Sequence, residues 1–398
     1  MKFVKVLLEG FKMAFSNRTP GDLSPNPIAK AIEKTSGRPF LDLTESNPTR
    51  CGFDYPQDLL SGLASPSALR YEPSPFGLPQ ARQAVADYLN SKGQAVDPEK
   101  VVLTASTSEA YSFLFKLLGD SGNSFLVPTP GYPLLDHLLH LEGMELVPYP
   151  FQRAADWPVD LDLTFKAVNP SCRGLVVVNP HNPTGAFLSE GDQEALGALC
   201  EKNGLAYISD EVFADYAYPG RVFRPWVPKN ALSFRLGGLS KSLGLPQLKL
   251  SWIVLEGPSG LLQECRDRLE LIADTYLSVA TPVQLALGDL LKFAPVFQKQ
   301  LMDRVLSNRR VLEKELQGLE EALVWPAQGG WYALLEIKEK GARDEKIVLD
   351  LLEKHGVLVQ PGAFYDFPEG CFLVLSLLPE LGVFQEAVGK IVQYLGKR

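Results

Sequence analysis

The sequence predicts an α/β fold, with a large domain on a mostly parallel sheet flanked by helices and a smaller α+β domain after it. Three observations predict it. Short apolar runs alternate with helical stretches from about residue 101 to 256. Some of those runs, GLVVVNP at 174–180 and LAYISD at 205–210 among them, are apolar almost throughout, the mark of strands buried on both faces. After about residue 258 the alternation gives way to a long helical region and a group of strand-like segments. At 398 residues the chain also exceeds what one hydrophobic core usually supports.

The elements follow in order. Pro20, Pro25 and Pro27 keep residues 1–40 irregular until a short helix near 28–36. Leu78, Ala81, Val85 and Tyr88 fall at helical spacing. Strands are expected at 101–104, 124–128, 144–149, 174–180, 205–210, 232–237 and 250–256, with helices at 108–119, 133–143 and near 189–202 between them. One long helical region should run through roughly 282–319. Strand-like ALVWP, GGWYALLEI, VLVQPG and CFLVLSLL follow it, with the N-terminal segment packed beside them. In such a sheet, ligands bind at the carboxyl ends of the strands. The boundaries expected are an arm over 1–40, a large domain over 41–275 and a small domain over 276–398.

Composition narrows the function. A net charge of −8 and a pI near 5.3 argue against general nucleic-acid affinity, which needs a basic face. Five scattered cysteines without CxxC spacing, and only four histidines, disfavour a disulfide framework and a structural metal site. Glu9 and Lys12 interrupt the apolar N-terminus, so a signal peptide is disfavoured, and no apolar run is long enough to span a membrane. A soluble, cytoplasmic protein is expected.

Four segments sit just after expected strands, where a site should lie. Residues 104–110 (TASTSEA) join a strand to a helix, and small hydroxyl residues there present backbone N–H groups to an anion. In residues 179–185 (NPHNPTG) two X-Pro units stiffen the backbone before Gly185 allows a turn, pinning Asn182. Asp210 is a carboxylate at the end of a hydrophobic strand. A pyridine-type cofactor needs one such group to keep its ring nitrogen protonated. Lys241 lies amid small residues in GGLSKSLG, and an amine that can shed its proton there suits Schiff-base chemistry. Each segment alone has an ordinary reading as cap, loop or solvated surface.

Together they resemble the class I/II aminotransferase family of pyridoxal-phosphate (PLP) enzymes, fold type I. The resemblance rests, in order and spacing, on 71–77 (YEPSPFG), 128–133 (PTPGYP), 179–185, 209–213 (SDEVF), 240–249 (SKSLGLPQLK), 326–332 (PAQGGWY) and 359–362 (VQPG). It covers roughly residues 40–398. It implies that Lys241 forms the Schiff base and then moves the Cα proton. It likewise implies that Asp210 partners the pyridinium nitrogen, Asn182 donates to the phenolic oxygen and Tyr132 stacks on the ring. Ser106, Thr107 and Ser108 match the phosphate-binding loop. Tyr71 matches a tyrosine that reaches the neighbouring subunit's phosphate, which implies a homodimer with shared sites.

The sequence also departs from the family. Phe213 stands where a tyrosine is usual, Gly238 where a serine is, and Lys249 where the phosphate-binding arginine is. The arginine that clamps the substrate α-carboxylate is Val374 here. Arg50, after the turn at 44–49, and Arg18, in the N-terminal arm, are the candidates to replace it. The family-like run begins near Phe15, so residues 1–12 read as an accessory extension. The function implied is PLP-dependent transfer of an amino group between an amino acid and a 2-oxo acid by a ping-pong mechanism. The alternatives on the same scaffold are a C–S β-lyase or a decarboxylase and, from another class, a non-catalytic PLP-binding regulator.

Overall fold

The computed structural model describes residues 15–35, 37–339 and 341–396. The proposed accessory extension, residues 1–12, lies outside them. From the N-terminus come α1 (Pro27–Lys34), β1 (Leu41–Asp42) and α2 (Pro79–Ser91). The α/β series follows: β2 (Val101–Thr104), α3 (Thr107–Leu118), β3 (Ser124–Thr129), α4 (Leu134–Leu141), β4 (Glu145–Pro150), α5 (Leu161–Ala167), β5 (Cys172–Val178), α6 (Glu190–Asn203), β6 (Ala206–Asp210), β7 (Ser233–Gly238), α7 (Leu239–Ser242) and β8 (Ser251–Glu256).

These strands form one seven-stranded sheet in the order β2-β8-β7-β6-β5-β3-β4. β7, β6, β5, β3 and β4 run parallel, and β8 lies antiparallel to both its neighbours. The chain between β7 and β8 holds only the short α7 and a 3-10 turn, too little to cross back over the sheet, so β8 returns antiparallel. One face carries Phe113, Phe115, Phe125 and Phe234 with Leu269 of the following helix. The other carries Val85, Leu103, Trp252 and Leu287.

That following helix, α8 (Ser259–Tyr276), is absent from the sequence expectation. Its buried residues, Cys265, Leu269 and Ala273, form a stripe one residue wide, while Leu271 and Tyr276 face outward. The apolar residues therefore do not mark a single face. The expected long helix over 282–319 is two helices, α9 (Thr281–Lys292) and α10 (Ala294–Glu315). Pro295 lacks an N–H to continue the first helix and instead starts the second.

The C-terminal part contains β9 (Ala322–Val324), β10 (Tyr332–Ile337), α11 (Asp344–Asp350), β11 (Val357–Leu358), β12 (Gln360–Pro361), β13 (Cys371–Ser376) and α12 (Leu381–Leu395). The expected strand over 357–362 divides: β11 pairs in parallel with β1, and β12 joins a four-stranded antiparallel sheet in the order β12-β13-β10-β9. Ile28 and Ala31 of α1 share a core with Ile347, Val348, Leu351 and Phe384, so the described part of the N-terminal segment packs on the C-terminal elements. No helix among the described residues is long and apolar enough to cross a membrane.

Candidate active site

The site lies at the carboxyl ends of β5, β6 and β7. Val178 and Asp210 are partners in register, and the Asn179 N–H donates to the Asp210 carbonyl at 2.9 Å. The segment 179–185 is thereby fixed beside the aspartate. Gly185 has φ +70, and a Cβ there would lie 2.5 Å from the Gly329 carbonyl oxygen, so only glycine fits. The N–H groups of Gln328 and Gly329 donate to the Gly185 carbonyl, which ties the 326–331 turn to this loop.

Trp331, fully buried, reaches the site from that turn. The Nζ of Lys241, on α7, lies 4.7 Å from the Trp331 ring centroid and 5.6 Å from that of Phe213. The backbone of Lys241 is held as well, because Tyr216 donates its hydroxyl to the Lys241 carbonyl at 2.5 Å. In these aromatic surroundings burial pushes the Lys241 ammonium down to about 8, although the Asp210 charge opposes the shift. A cleft of about 500 Å³ opens in front of Lys241, with Asp42, Glu45, Ser46 and Pro48 on its opposite wall.

Asp210 is held by two donors. The Val212 N–H donates to Oδ1 at 3.1 Å and the Tyr111 hydroxyl to Oδ2 at 3.0 Å. Burial pushes its carboxyl up to about 6; the two hydrogen bonds and Lys241 pull the other way. Tyr132 is half-exposed, and its phenol is shifted up by burial and then by the Asp210 charge, which places the two close together. Asn182 is buried, and one end of its amide, assigned as Oδ1, has no hydrogen-bond partner among the described residues. Half a turn about its last torsion makes that end an N–H donor. A buried amide left unsatisfied by protein is what a ligand oxygen would satisfy.

Ser106 is the N-cap of α3, its Oγ accepting the Glu109 N–H at 3.1 Å. Thr107 and Ser108 open the helix, so their free N–H groups and the helix dipole face one point. Tyr111, four residues past Thr107, links this helix to Asp210. Sequence reasoning missed it, because an aromatic at helical spacing reads as core. Trp331 was legible only as part of a motif.

The other expected residues differ in their surroundings. Tyr71 is 75% exposed. Lys249 is exposed, with φ +49. Arg50 is 74% exposed, and its guanidinium lies 3.7 Å from Glu45; neither it nor Arg18 lines the cleft. Arg18 packs by Gly143, in the turn that precedes β4, hence at the opposite end of the parallel strands from Lys241. Val374 is buried with Trp157, Trp325 and Phe372 and supplies no polar group. A Cβ at Gly238 would collide with Ser251 Oγ, which explains why no serine stands there.

A family model described as aminotransferase class I and II matches residues 56–374. A glutamate-pyruvate aminotransferase of Haemophilus influenzae is 28% identical over 90% of this chain and 91% of its own. A mouse tyrosine aminotransferase is 24% identical over 95% and 87%. Among solved structures, an Escherichia coli aminotransferase superposes with a TM-score of 0.84 at 25% identity, covering 96% of this chain and 98% of that one. An alanine aminotransferase of Pyrococcus furiosus superposes with a TM-score of 0.87 at 24% identity, covering 97% and 100%.

Proposed function

The chain belongs to the aminotransferase class I and II family and is a transaminase, and from that premise we propose that it works with pyridoxal phosphate bonded to Lys241. The observation that carries this reading is Lys241 itself, an amine beneath an aromatic ring with its ammonium held near 8. At pH 7 such a group is free amine roughly 300-fold more often than a lysine at 10.5. The donors and acceptors around it fit the cofactor. Asp210 would hold the ring nitrogen, the unsatisfied end of the Asn182 amide would donate to the phenolic oxygen, and Tyr132 would cover the ring. Ser106, Thr107, Ser108 and the N-terminus of α3 would take the phosphate, and Lys249 is the proposed further charge for it.

Pyridoxal phosphate, when bound, supplies an electron sink that allows the Cα–H bond of an amino acid to break. Lys241 Nζ takes that proton from Cα and later returns one. Asp210, kept ionised, would stabilise positive charge on the ring nitrogen throughout. Trp331 and Phe213 shield one side of the amine from water. The first 2-oxo acid leaves before the second enters, a ping-pong order. The names of the relatives support an amino acid and a 2-oxo acid as substrates, and no feature of this site favours the lyase or regulator alternatives.

Arg50 remains the proposed partner of the substrate carboxylate. Its ion-pair partner Glu45 lines the cleft, as does Pro48 at the head of its short helix. A substrate carboxylate would replace Glu45. The same reading makes the protein a cytoplasmic homodimer with an arm (1–40), a large domain (41–275) and a small domain (276–398). Exposed Leu69 and Tyr71 support the dimer. The test is reduction with borohydride, which should fix the cofactor to the peptide containing Lys241. In cofactor-free protein the rate of capture should rise with pH and level off above about 8, where Lys241 has lost its proton. Label on Lys249, or a rate still climbing at pH 10, would defeat the assignment.

A further inference from the structure

We propose that Tyr111 is a positioning residue for the reaction, its phenol holding one oxygen of Asp210 so that the ionised carboxylate stays aimed at the cofactor ring nitrogen. The inference rests on the proposed function, in which Asp210 keeps that nitrogen protonated. Two neutral donors from different elements fix the carboxylate: Tyr111 of α3 on Oδ2 at 3.0 Å and the backbone of Val212 on Oδ1 at 3.1 Å. Each oxygen keeps a lone pair free for a ring N–H. Neither donor is a cation, so the carboxylate keeps its charge for the ring.

The phenol has no way out to water. Tyr111 is buried, and its ring packs on Phe115 with centroids 5.8 Å apart. It also sits four residues along from Thr107, about 6 Å down the helix axis. One helix therefore presents both the phosphate-binding end and the donor to Asp210, fixing the distance between the two ends of the cofactor. A tyrosine that merely satisfied its hydroxyl would need any acceptor; this one has the carboxylate the chemistry needs.

The charges around the pair set the direction of the effect. Lys241 faces Asp210 from α7, Glu211 is next in the chain and itself paired with Arg235, Tyr132 approaches from the loop after β3, and Tyr149 of β4 faces Tyr111. Burial, then the Asp210 charge, hold the Tyr111 phenol far above its ordinary value, so it stays a donor at any working pH. Its hydrogen bond favours the ionised form of Asp210 against burial. Removing that donor raises the aspartate pKa, so the carboxylate is neutralised, and its charge lost to the ring, at a higher pH. The acid limb of activity must then move to higher pH.

The experiment compares wild type, Tyr111→Phe, Asp210→Asn and the double variant. It follows the pH dependence of kcat, the ¹⁵N resonance of ring-labelled cofactor on the protein, and borohydride labelling of Lys241. Tyr111→Phe should still label Lys241, lower kcat about tenfold with little change in KM, and move the acid limb, with the accompanying change in the ¹⁵N resonance, about one pH unit higher than in wild type. In the Asp210→Asn background it should add nothing. A stronger donor of the same shape, 3-fluorotyrosine placed at position 111, should move the acid limb down instead. The proposal is overturned if label is retained while neither substitution moves the nitrogen resonance or the acid limb, or if Tyr111→Phe costs as much without Asp210 as with it. Failure of the underlying reading looks different: Lys241 takes no label even in wild type.

Discussion

Asp210 shows at the scale of one residue how stability and chemistry oppose each other. Its folded pKa, about 6, lies above the ordinary value of 3.8. The folded protein therefore binds the proton more tightly than the unfolded chain, and stability falls as pH rises from about 4 through 6. Asp210→Asn removes that penalty. The cofactor-free variant should melt no lower than wild type at neutral pH, while kcat of the holoenzyme drops at least ~10²-fold for want of the electrostatic partner. Calorimetry beside steady-state kinetics checks both; a large fall in melting temperature with near-normal kcat would make Asp210 structural. Val374 poses the complementary question, since its apolar surroundings leave the substrate carboxylate to another group. Arg50→Ala should raise KM for the amino acid substrate by ~10–100-fold, as loss of a charged hydrogen bond does, and leave the matching amine without a carboxylate unaffected.

At the scale of elements, α3 has two roles that can be separated. Ser106 caps the helix and sits at the expected phosphate site, whereas Ser189 caps α6 in the same way, accepting the Asp192 N–H at 3.0 Å, with no ligand role expected. Ser106→Ala and Ser189→Ala should each cost about 1 kcal/mol of stability. Only Ser106→Ala should weaken cofactor binding, read as the cofactor concentration needed to restore absorbance. Equal losses of affinity in both would reduce Ser106 to a cap. The turn at 326–331 shows the same principle between elements. Hydrogen bonds from Gln328, Gly329 and Gly330 to Gly185 and Tyr216 bring Trp331 over Lys241. The aromatic wall of the site thus depends on two distant segments meeting.

At the scale of the whole molecule, several large apolar residues of the described chain face outward. Leu69 and Tyr71 are strongly exposed, as are Leu271 on α8 and Tyr276 at its end. The proposed dimer, in which Tyr71 serves the neighbour's phosphate, predicts that Lys241→Ala and Tyr71→Ala are each weak alone and recover part of the activity when mixed, through hybrid dimers holding one intact site. Sedimentation should give a dimer at micromolar concentration. Monomer alone, or no recovery on mixing, would count against shared sites.

The sequence by itself determined the alternating α/β pattern, the carboxyl-terminal strand ends and the motifs that carry Lys241, Asp210 and Asn182. These are local properties: an apolar run buried on both faces, a proline before a turn, a cap at a helix start. Tertiary structure alone decided what meets across the chain. The connection too short for a crossover turned β8 antiparallel. Val374 lies among aromatic rings, and Arg18 lies at the wrong end of the sheet to meet Lys241. Tyr111 reads in sequence as one more core aromatic on a helix. Its meaning comes from the carboxylate 99 positions away that accepts its hydrogen bond. Hydrogen bonds and burial depend on distance in space, and spacing along a chain encodes that distance only within an element.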